Sequence, residues 1–103
     1  MATVELIEGM KDKKGWPEVA KSLESMMDKK GLEGWNANIR PSPPKEHCYC
    51  AEIFREKKTF LMTCPPIELA DPKGDAKLEG DAKLEARIIL PLFLSLLKKE
   101  GRS

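Results

Sequence analysis

Thiolate and imidazole are the ligands that zinc and iron–sulfur clusters take, so metal chemistry in this chain would reside in His47, Cys48, Cys50 and Cys64. Only Tyr49 separates the first two cysteines, whereas paired ligands of structural zinc sites have at least two residues between them. On a strand, Cys48 and Cys50 share one face and His47 takes the other, which rules out a His47–Cys48 dyad. Where Cys64 falls depends on a hairpin register. A three-residue loop at Glu56 to Lys58 sets it opposite Cys50, while a two- or four-residue loop sends it to the His47 face. No glycine marks that turn, so both registers stay open. Against these metal readings stands a plainer one: unpaired cysteine is among the most buried residue types, and all three can serve as small hydrophobes in a sheet. The expectation is therefore no cofactor, with zinc or iron–sulfur binding as the alternative.

Other chemistry finds less support. Glu52 is the only carboxylate inside a predicted strand, on the face of Cys48 and Cys50; buried it could move a proton, and on an edge it would simply be wet. The chain carries no Gly-rich phosphate loop, dinucleotide fingerprint, paired-histidine zinc helix or Gly-x-Ser-x-Gly elbow, so no catalytic residue is assigned and the balance falls against an enzyme. Eighteen Lys and Arg face seventeen Asp and Glu, which leaves no net field to draw nucleic acid or an anionic membrane. The lysine clusters lack the interleaved aromatics of a single-strand binder. The start of the chain lacks a basic segment followed by an apolar run, and three cysteines do not make a disulfide framework; together these indicate reduced thiols and the cytoplasm.

The elements that must position these groups follow from periodicity. Val4, Ile7 and Met10 recur at helical spacing ahead of Lys13-Lys14-Gly15, which predicts a short helix over residues 3–14. A second helix is predicted over residues 17–30, with Pro17 at its start, Val19, Leu23, Met26 and Met27 on one stripe, and Gly31 after its end. From Trp35 to Arg40 the period is two, which indicates a strand with one wet face. The proline-rich stretch 41–46 reads as a stiff loop, although Pro41 and Pro44 also match the bare spacing of a polyproline ligand. His47 to Arg55 and Thr59 to Cys64 read as an antiparallel hairpin with apolar groups on both faces.

The hexapeptide Gly-Asp-Ala-Lys-Leu-Glu occurs twice, over 74–79 and 80–85, and its strong helix formers predict a helix over residues 75–99. A strand over 82–88, with Pro91 opening a shorter helix, is the rival reading. Trp16 and Trp35 read as core residues, as do Met10, Met26, Met27 and Met62.

Together these elements make one α+β domain over residues 1–103: two N-terminal helices, a three-stranded antiparallel meander and a C-terminal helix, arranged as a two-layer sandwich. Its apolar content of 41% is enough to drive folding, and its longest apolar stretch, Ile88 to Leu97, is far short of the roughly 20 residues that span a bilayer. That stretch points apolar groups in every direction around a helix, more than a small monomer readily buries, so Ile89, Leu92, Phe93 and Leu96 are expected to form a homodimer interface. The function expected from the sequence is a non-enzymatic binding or regulatory domain that self-associates, through this helix or through the sheet, with a protein partner as a further possibility. The alternative is a thiol or metal protein using Cys48, Cys50 and Cys64.

Overall fold

A computed structural model describes residues 1–43, 48–55, 60–63, 66–69 and 79–99, with backbone alone at 60–63, 79–81 and 99. The chain runs through strand β1 (Thr3–Leu6), a one-turn 3-10 helix (Met10–Asp12), helix α1 (Trp16–Lys29), and strands β2 (Asn36–Pro41), β3 (Cys48–Arg55), β4 (Phe60–Thr63) and β5 (Ile67–Glu68). Helix α2 (Glu79–Lys99) follows. The sheet order is β1-β2-β3-β4, with β1 parallel to β2, the other pairs antiparallel, and β5 paired to β3 at Cys48 and Tyr49.

Two expectations are corrected here. The first N-terminal helix is instead a strand. Glu8 and Gly9 adopt left-handed backbone, with φ of 53° and 84°, which interrupts any helix through residues 3–14. The preceding residues alternate as a strand should: Val4 is buried between exposed Thr3 and Glu5. The sheet is correspondingly not a three-stranded antiparallel meander but a mixed sheet, because β1 lies alongside β2 in the same direction and β5 adds a short rung. Strand β1 finds its partner more than thirty residues along the chain, Thr3 opposite Asn36, a pairing that no local window displays.

Register explains the tolerance of Pro41 at the end of β2. The Ser42 amide donates to the Cys48 carbonyl, so even-numbered residues of β2 hydrogen-bond towards β3 and odd-numbered ones turn towards β1. The missing amide of Pro41 therefore points past Leu6, where β1 has ended, and no ladder bond is lost.

Residues 82–90 are helical throughout, and α2 continues through Pro91. The core forms between one sheet face and the two helices. Val4, Ala37, Ile39, Tyr49, Ala51 and Ile53 supply the sheet side. Trp16, Val19, Leu23 and Met27 of α1, and Ala86, Ile89, Phe93 and Leu97 of α2, supply the helical side at the i, i+3, i+4 spacing of a buried stripe. Tyr49 fixes both helices over the same face. The Trp16 ring meets it edge-on with centroids 4.8 Å apart, and its hydroxyl donates to the buried carboxylate of Glu85 on α2. None of the described helices is long and apolar enough to cross a membrane.

Candidate functional sites: the open sheet face and the outer ridge of α2

The other face of the sheet carries Asn36, Asn38 and Arg40 of β2 and Cys48, Cys50, Glu52 and Phe54 of β3, all half-buried because neither described α-helix covers them. Cross-strand pairing sets Arg40 opposite Cys50, Asn38 opposite Glu52, and Cys48 opposite Glu68. Arg40 forms an ion pair with Glu52, one pairing step along β3 from its own partner, and its Nε lies 3.8 Å from Glu8, whose left-handed backbone turns the chain out of β1. The Arg40 and Glu52 side chains keep 27% and 18% of their exposure, so this pair is partly shielded from water, whereas Glu8 is well exposed and contributes little. Glu52 is thus neither a buried acid nor a wet edge residue; its charge is matched by Arg40.

Cys48 and Cys50 are free cysteines of intermediate exposure on this face, more open than the buried small hydrophobes of the plainer reading. The ladder ending in Arg55 opposite Phe60 leaves four residues, 56–59, between the paired ends of β3 and β4. Cys64 and His47 lie outside the described residues, and among the described residues no three His, Cys, Asp or Glu side chains converge to hold a metal ion.

Of the residues expected at an interface, Ile89 and Phe93 are fully buried within the protomer, while Leu92 and Leu96 are partly buried at the margin of the core. A second copy could not reach Ile89 or Phe93 without displacing α2. Leu84, 48% exposed, is followed at four-residue intervals by Ile88, Leu92 and Leu96, which are partly buried against the core, so the four make one i±4 ridge along the flank of the helix. Lys83, Arg87 and Lys98 are exposed on the same helix.

Three functionally placed carboxylates escaped sequence reasoning. Glu85 reads as a wet residue if 82–88 is a strand, yet Ala82, Glu85, Ala86 and Ile89 are spaced i, i+3, i+4, i+7, the signal that would have put it on the buried stripe. Glu24 and Asp28 of α1 accept hydrogen bonds from the Val4 and Ala2 amides, at 2.9 and 2.7 Å. Thr3 and Ile7 donate to Trp35 and Ile39 on the β2 side, so even-numbered amides of β1 face outwards. The two carboxylates therefore occupy donors that an added strand would need. No family model, curated protein or solved structure matches this chain.

Proposed function

We propose that this chain is a non-enzymatic cytoplasmic binding or regulatory domain that self-associates through the outer ridge of α2. The observation that carries this reading is the line Leu84, Ile88, Leu92 and Leu96, whose first member stays nearly half exposed while the other three are only partly buried at the margin of the core. Such a ridge is self-complementary. Two copies in antiparallel register set Leu84 against Leu96 of the second copy and Ile88 against its Leu92, and ridges of this kind interdigitate at a crossing angle of about 50°.

One further observation favours the helix over the sheet as the contact. Glu24 and Asp28 occupy outward donors of β1, which discourages strand addition at that edge. A binding role is also favoured over proton chemistry, because the two half-buried or buried carboxylates nearest to candidate partners are already engaged, Glu52 by Arg40 and Glu85 by Tyr49.

Sedimentation equilibrium over a micromolar concentration range tests the reading. The wild-type chain is expected to dimerise, and Leu84→Glu, placed at an exposed position where it costs the fold little, is expected to weaken the dimer by about 1–2 kcal/mol, or roughly 5- to 30-fold in Kd. A wild-type chain that stays monomeric, or a Leu84→Glu variant that dimerises as tightly, overturns it.

A further inference from the structure

Cys48 and Cys50 are two residues apart on β3, on the same open face and both within reach of solvent. At about 3.3 Å per residue their Cβ atoms stand about 6.6 Å apart and point in parallel directions, whereas a disulfide needs Cβ atoms about 3.5–4.5 Å apart. The regular pairing of β3 with β2 on one side and β5 on the other holds this stretch extended, so the thiols cannot close on one another without breaking the ladder. One geometry does suit the spacing. Two sulfurs bound to one soft ion at about 2.3 Å lie about 4.6 Å apart when the ion is linear, which asks each sulfur to lean about 1 Å towards the other, within the choice of staggered rotamers open to a strand residue.

From this juxtaposition we propose that Cys48 and Cys50 form a two-coordinate site for a soft monovalent cation of the copper(I) class. Binding breaks two S–H bonds, releases two protons to solvent and forms two sulfur–metal bonds, with the oxidation state of the metal unchanged. The bound unit carries one net negative charge, and Arg40, already paired with Glu52, stands directly opposite Cys50 on the same face. The carboxylates nearby, Glu52 in its ion pair with Arg40 and Glu68 opposite Cys48, are hard oxygen donors that a soft ion leaves aside in favour of thiolate. Zinc takes four ligands, and among the described residues none joins these two as a third.

Anaerobic titration of the reduced chain with copper(I) against a chromophoric copper(I) chelator, followed by native mass spectrometry, tests this. One copper per protomer is expected, with thiolate-to-metal absorption in the near ultraviolet. Loss of a group that merely orients a ligand typically costs about 10- to 100-fold, so Cys48→Ser or Cys50→Ser is expected to cost more than about 100-fold in affinity. Both positions are half-exposed, and thermal unfolding of the apo variants checks that they fold. Cys64→Ser is expected to bind as the wild type does, and zinc to be displaced by copper(I). The proposal is overturned if either serine variant at 48 or 50 keeps wild-type affinity, if Cys64→Ser loses binding, or if one metal bridges two protomers. Because copper affinity is read per protomer, failure here leaves the dimer reading untouched, and the reverse holds.

Discussion

Removing the two carboxylates that close the β1 edge gives the sharpest test of how this sheet is kept from adding strands. Residues two apart on β1 are separated by about 6.6 Å, and residues four apart on a helix by about 6.0 Å, so Glu24 and Asp28 can reach the Val4 and Ala2 amides together. A hydrogen bond to a charged group stabilises by about 1.5–3 kcal/mol when shielded. Here both side chains are only half-buried, and water can replace them at an edge, which lowers the figure to about 1 kcal/mol each. Like charges four apart on a helix also repel by a few tenths of a kcal/mol, so removing both costs slightly more than twice removing one. The Glu24→Ala, Asp28→Ala double variant is therefore expected to lose about 2 kcal/mol, a fall in Tm of roughly 8–16 °C for a chain of this size. Circular dichroism melts give the stability, and amide exchange at Ala2 and Val4 reports the edge itself. Lys21→Ala, at an exposed position of α1, serves as control. A double variant within about 0.5 kcal/mol of wild type, with unchanged exchange at both amides, would refute the account of the edge.

Tyr49→Phe removes the buried donor to Glu85 and is expected to cost about 1.5–3 kcal/mol in urea unfolding, with the Trp16 environment altered in fluorescence. Gly9→Ala meets no atom within 4 Å, so its cost is backbone strain alone at φ 84°, about 1–2 kcal/mol by thermal melts; a neutral result would mean that the turn after β1 is not left-handed in solution.

How much of this molecule was legible in its sequence divides along the range of the interactions involved. Helix α1 was legible because Val19, Leu23 and Met27 mark one stripe and the chain turns away at Gly31, where φ is 78°; all of that information lies within sixteen residues. Strand β1 was not, since four residues carry too few alternations to outweigh Val4, Ile7 and Met10 at helical spacing, and its partner β2 lies beyond a whole helix. The face shared by Cys48, Cys50 and Glu52 was legible from the period of two, while their half exposure was not, because it depends on the helices occupying the opposite face. At α2 the all-round apolar pattern was visible, but which of its lines faces inwards depends on α1 and on the bond from Tyr49 to Glu85. That is why Ile89 and Phe93 could not be told apart from Leu92 and Leu96.

The two uncovered surfaces differ in what they can accept, and the difference follows from charge. A partner laid flat on the open sheet face must bury Arg40 and Glu52, and taking an ion pair out of water costs several kcal/mol per ion unless new hydrogen bonds replace the solvent. An apolar cover there loses more than it gains, which leaves a polar partner or a small ion held by Cys48 and Cys50 as occupants that fit the face. The ridge from Leu84 to Leu96 has no such penalty, since burying it removes only apolar surface at about 25 cal/mol per Å² and leaves Lys83 and Arg87 at the rim. In the antiparallel register that sets Leu84 against Leu96, Lys83 of one copy comes near Lys98 of the other, and screening relieves their repulsion. The dimer should therefore tighten as salt rises, whereas an association carried by opposite charges on the sheet face would loosen, so the sign of the salt dependence tells which surface two copies use.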